Sequence, residues 1–167
     1  MKRNLLLLFL FLGLIKLQAQ ELKVATSLGS NGGVNNFALA LDATYLVNIN
    51  KNLDFGFTTG MSYWFKSDEY DLSGLKVSRR GDIKMLPIAL SSRFNFTEKL
   101  TLGLDFGYAF AIDSHPYSSG FYFAPKVQYE LFKNTDIVLA YRLFNMDSSV
   151  DVGPNIDMMS LGVEFKL

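Results

Sequence analysis

LTLGLDFGYAFAI, residues 100–112, alternates with a period of two. Leu100, Leu102, Leu104, Phe106, Tyr108, Phe110 and Ile112 share one parity, and Thr101, Gly103, Asp105, Gly107, Ala109 and Ala111 share the other. Successive side chains of a strand point to opposite sides, so this is a strand with one large apolar face and one small face. A soluble sheet that buried the aliphatic face would carry Lys, Glu and Thr on the other, not glycines, alanines and one carboxylate. Both faces are therefore enclosed, the large one by lipid and the small one by the interior of a narrow closed barrel.

Working outward, the same alternation marks 21–30, 36–49, 53–65, 82–96, 120–132, 136–146 and 156–167, with no competing helical period. The links at 50–52, 97–99 and 133–135 are tight and polar, whereas 31–35, 66–81, 113–119 and 147–155 are longer. Short and long links alternate, which predicts an all-β, eight-stranded, up-and-down antiparallel transmembrane β-barrel with both termini on the turn side. Its outward set includes Leu22, Leu28, Phe37, Leu41, Phe57, Ile88, Leu90, Phe121, Val127, Leu139, Leu161 and Phe165. Tyr and Phe gather toward segment ends as interfacial girdles, with Trp64 expected near the external rim. Pro87 and Pro125 fall inside strands, where a missing N–H leaves a ladder acceptor unpaired, so a bulge is expected at each.

Before the first segment, Lys2 and Arg3 precede an almost unbroken apolar run over 5–15, then Leu17, Gln18 and Ala19. The run is too short for a spanning helix and reads as a secretory signal peptide over 1–19, leaving a barrel domain over 20–167. With 16 basic and 16 acidic residues, the chain lacks the charge excess that nucleic acid would require. No cysteine is present, which excludes a disulfide framework, a lipoprotein attachment residue and a thiolate metal site.

The chain as a whole resembles the small eight-stranded outer-membrane barrels of the OmpX and OmpA transmembrane type. KMLPIALSSRFNF and the terminal SLGVEFKL are similar to the Bacteroidetes-type outer-membrane barrel domain. The alternation of Leu161, Val163, Phe165 and Leu167 resembles the C-terminal signal read by the barrel-assembly machinery, although it ends in Leu instead of Phe. The resemblance implies residence in a bacterial outer membrane, with lipid and lipopolysaccharide as surroundings and the assembly machinery as a partner during biogenesis. Nothing in the pattern demands more than a monomer.

Chemistry-bearing residues fall into an inward set and a loop set. On the inward parity sit the bases Lys23, Arg93, Lys126, Arg142 and Lys166 and the acids Asp42, Asp54, Asp105, Glu130 and Glu164. Buried charges are tolerated when paired, so these ten predict a lumen ion-pair network, with Gln128, Asn48 and Asn95 filling gaps. The alternative is a polar channel or proton relay, against which stands the small interior of eight strands. In the loops, Asp113, Ser114 and His115 are the residue types of a hydrolase, but three consecutive residues do not converge as a triad must. Arg79 and Arg80 are candidates for contact with lipid phosphates, and Arg80, Gly81 and Asp82 spell a tripeptide that some adhesins present. Asp147, Asp151 and Asp157 lack the alternating ligands of a calcium loop, and Gly29, Gly32 and Gly33 do not open a helix as a phosphate cradle would. No catalytic residue, cofactor or metal is predicted. The expected function is a non-catalytic barrel that displays loops for envelope integrity or surface contact. Its rivals are a small passive pore, a lipid-modifying outer-membrane enzyme and a secreted lipocalin-like carrier.

Overall fold

The computed structural model describes residues 20–30, 37–65, 82–112, 118–146 and 155–167. Eight strands follow in chain order: β1 (Gln20–Ser30), β2 (Phe37–Asn50), β3 (Leu53–Trp64), β4 (Ile83–Asn95), β5 (Leu100–Ile112), β6 (Gly120–Phe132), β7 (Thr135–Met146) and β8 (Asn155–Lys166). Each is antiparallel to its neighbours, and β8 returns to β1 to close the barrel. Closure removes every edge, so all strands have backbone partners on both sides. Strands of 11 to 14 residues, such as β1 and β2, reach or exceed the roughly 9–11 that cross a bilayer core at a tilt.

The two parities separate as two environments. Leu22, Phe37, Phe57, Ile88, Phe106, Leu131 and Leu161 are exposed on the outer wall, with Phe57 61% exposed, whereas Ala40, Met85, Ala109 and Ala124 are buried inside. Small inward residues let facing strands come close. An added Cβ at Gly56 would run into the Tyr45 carbonyl of the neighbouring strand, which is why only glycine suits that point.

Neither expected proline bulge is present. The β4 register runs unshifted from Lys84↔Ile112 through Pro87↔Ala109 to Asn95↔Thr101, and Pro125 pairs with Leu104 in the same register as its strand neighbours. The side facing β3 loses pairing locally, between Thr59↔Ile88 and Ser62↔Met85, and the Thr59 hydroxyl donates to the Pro87 carbonyl at 3.1 Å. The hydroxyl serves the carbonyl of Pro87 itself where the ladder pairing lapses, and no residue is inserted. The actual register shifts sit at two tight turns, between Asn48 and Asn50 and between Glu130 and Phe132. Beside the second, Asn134 takes a φ of 68°, a left-handed conformation that asparagine tolerates.

Trp64 also corrects the expectation. It shares parity with Ser62, is 2% exposed and packs inside the barrel, not in a girdle at the rim.

Candidate functional site

The barrel encloses three zones, stacked from the end of the long connections to the end of the tight turns. At the first end, Trp64, Ile83, Met85, Tyr122, Phe144, Ile156 and Met158 form a buried apolar cap with the small Ala38, Ala40 and Ala109. The Phe144 ring is central: it meets Trp64 edge-on at 5.1 Å between centroids and Tyr122 at 5.0 Å. Such pairs add to the area buried. Among the described residues, the Trp64 indole N–H and the Ser62 hydroxyl have no hydrogen-bond partner.

Below the cap lies the charge cluster. Arg142 grips Asp42 with both forks, Nη1 to Oδ1 at 3.0 Å and Nη2 to Oδ2 at 2.7 Å. Its remaining donors reach the Tyr122 hydroxyl at 3.2 Å, Ser27 at 3.3 Å and Ser160 at 3.4 Å. Lys126 bridges the two carboxylates, lying 3.1 Å from Asp42 and 2.6 Å from Asp105. Asp105 in turn accepts from Arg93 at 2.7 Å and from Ser91 at 2.8 Å, and Ser91, Thr58 and Thr44 continue as a hydroxyl chain. Every strand contributes a member. Bidentate and charge-assisted bonds of this kind are short and directional, and among buried groups they fix one arrangement.

Arg93 is less well served. It is fully buried, Nη1 donates to Asp105 and to the Ser92 carbonyl, and Nε and Nη2 have no hydrogen-bond partner among the described residues. Its side chain lies across Gly103, where any Cβ would press on the guanidinium and its stem.

At the turn end the lumen widens into a polar vestibule of about 400 Å³, lined among others by Lys23, Asp54, Asn95, Gln128, Glu130, Asp136 and Lys166. Lys23 lies 3.3 Å from Glu164 and 3.6 Å from Asp136, and Gln128 donates to Glu164 at 2.6 Å. Asp54 accepts from Asn48 at 2.8 Å and from Asn95 at 3.0 Å. Lys166 stands 3.8 Å from Glu130 and 3.9 Å from Asp136.

Of the ten inward charges named from the sequence, Lys23, Asp42, Arg93, Asp105, Lys126, Arg142 and Glu164 are buried, while Asp54, Glu130 and Lys166 are partly open to the vestibule. Asp42, Asp105, Lys126, Arg93 and Arg142 meet in one cluster, and Asp54 joins amides instead of a base. Parity missed Asp136, the second residue of β7, although its alternation with Ile137 marks it as inward. It also missed the cap, because inward parity says nothing about which inward residues stack at the same depth. Leu161, Val163 and Phe165 lie outward on β8, where Leu161 and Phe165 are exposed and Val163 half-exposed, and Leu167 follows the strand with its N–H on the Leu22 carbonyl. Arg79, Arg80, Asp113, Ser114, His115, Asp147 and Asp151 lie outside the described residues. Asp157 is on the outer wall and accepts from the Tyr141 hydroxyl at 3.1 Å.

No family model matches the chain, and no curated protein does either. Among solved structures, the outer membrane enzyme PagL superposes with a TM-score of 0.61 at 13% identity, over 87% of this chain and 99% of that one. The outer membrane protein Ail of Yersinia pestis, in a phospholipid bilayer nanodisc, gives 0.57 at 16% identity over 89% and 100%. A transmembrane β-barrel designed de novo gives 0.56 at 12% identity over 88% and 95%. The fold is therefore that of the small eight-stranded outer-membrane barrels. An enzyme, an attachment invasion locus protein and a designed chain share it, so the backbone alone assigns no activity.

Proposed function

We propose that this protein is an integral outer-membrane barrel that acts as a closed, non-catalytic scaffold for its four long connections. The observation that carries the reading is the opposition of the two walls. Large apolar side chains such as Leu28, Phe57, Ile88, Phe106, Leu139 and Leu161 stand exposed around the outside, and a fully paired bidentate ion pair, Arg142 with Asp42, sits in the lumen. An exposed apolar belt of that extent is unstable in water and suited to hydrocarbon. A lipocalin-like carrier would need the reverse, an apolar cavity inside. The filled lumen also supports a closed barrel over a pore, since the charge cluster spans it and the cap lies above.

The test is fractionation and refolding. The chain is expected in outer-membrane fractions, to refold only with detergent or lipid, to migrate differently before and after boiling, and to give no steady conductance in planar bilayers. Recovery as a water-soluble monomer would overturn the membrane reading, and conductance would overturn the closed lumen. Replacing 66–81 by a short Gly/Ser turn should leave refolding intact and remove surface contact. Loss of a lipid-modifying activity in His115→Ala would make the protein an enzyme instead.

A further inference from the structure

The charged groups of the lumen are satisfied very unevenly. In the central cluster the ion pairs run from 2.6 to 3.1 Å, whereas Asp136 in the vestibule is reached at 3.6 Å by Lys23 and 3.9 Å by Lys166, beyond hydrogen-bond length. Asp136 is 4% exposed, and its Oδ1 accepts no hydrogen bond from the described residues. Gln128, 1% exposed on the neighbouring β6, spends its amide N–H on Glu164 and leaves its own Oε1 without a donor among the described residues. Both residues line the vestibule. Buried acceptors without donors are costly, and two of them on one wall mark a place where a donor belongs.

Charge is compatible with this. The vestibule lining carries five carboxylates, Asp136 among them, against four lysines, two of which, Lys23 and Lys166, stand beside Asp136 without reaching hydrogen-bond length. Among the described residues, no three acidic or histidine side chains group as a metal site would require, because the two lysines stand between the acids. Spread acceptors suit an organic cation, whose N–H groups reach separate oxygens, better than a compact metal ion.

We propose that the vestibule is a binding site, entered from the turn end, for a small ligand carrying a primary ammonium group, which donates to Asp136 and Gln128. The volume of about 400 Å³ is within the range of small-molecule sites. The apolar cap blocks the other end, so the site is a cup and not a passage. None of this depends on whether the outer wall faces lipid.

The experiment titrates 1,4-diaminobutane into the full chain in detergent micelles by calorimetry, with magnesium chloride and sodium acetate as separate titrants. Saturable single-site binding of the diamine is expected, weakened roughly tenfold by Asp136→Asn and by Gln128→Leu, each of which removes an acceptor, and unchanged by Asp157→Asn on the outer wall. Magnesium or acetate should not compete. Absence of saturable diamine binding, equal competition by magnesium, or full affinity in Asp136→Asn and Gln128→Leu would overturn the site. Should both variants fail to fold, the wild-type side-chain amide resonance of Gln128 decides: a shift that saturates with diamine supports the site, and none refutes it.

Discussion

The central cluster and the apolar cap lie next to each other in one lumen, yet they close it by opposite physics. In the cap, Phe144 between Trp64 and Tyr122 fills space without direction, and neighbours of similar volume would serve nearly as well. In the cluster, the fork of Arg142 on Asp42, with Tyr122, Ser27 and Ser160 on its other donors, permits one geometry. A buried ion pair offers little net stability over an apolar substitute, and removing one member strands the other charge. The cap tolerates change in kind, and the cluster does not tolerate loss of a partner. Tyr122 joins them, with its ring in the cap and its hydroxyl on Arg142.

That contrast can be broken most forcefully at Arg142. Arg142→Ala leaves the buried Asp42 with Lys126 alone and is expected to cost about 3–5 kcal/mol, read as the urea midpoint of the lipid-embedded barrel. Arg142→Lys should recover only part of this, because an ammonium lacks the planar fork. If the two variants were equal, charge alone and not geometry would hold the cluster. Next in size is Phe144→Ala, which empties the middle of the cap and should cost about 3 kcal/mol, with Phe144→Leu far milder. Neither change should open a conductance, since the charge cluster remains beneath; a channel in Phe144→Ala would show that the cap alone closes the lumen.

Gly103→Ala sharpens the comparison from the charged side. The new methyl would press on the Arg93 side chain, which must shift while keeping its bond to Asp105, at an expected cost of about 1–2 kcal/mol. An alanine at the same strand position in a purely apolar layer would simply repack, so an unshifted midpoint would mean that Arg93 is freer than its burial implies. Smallest is Thr59→Ala on the outer wall, which removes one donor to the Pro87 carbonyl and should cost below about 1 kcal/mol. A large loss there would show that this hydroxyl is essential to the strand at Pro87.

The alternation in residues 100–112 and its recurrence are enough to place eight strands, their order of connection and the side each residue faces, because a period of two is a local property of the extended backbone. At Pro87 the unbulged strand depends on tertiary surroundings. A neighbouring strand brings the Thr59 hydroxyl to the Pro87 carbonyl, and nothing near residue 87 in the chain announces it.

Depth and pairing are likewise tertiary. Asp42 and Arg142 are 100 residues apart and meet only because the barrel closes and its strands are staggered, so parity can list the inward charges but cannot say which base faces which acid. The same stagger gathers Trp64, Tyr122 and Phe144 at one end and leaves Asp136 and Gln128 short of partners at the other. The sequence by itself therefore determined the strands and their two faces. Only closure of the barrel decided the division of its interior into cap, cluster and vestibule, because rows across a lumen are set by inter-strand register and not by spacing along the chain.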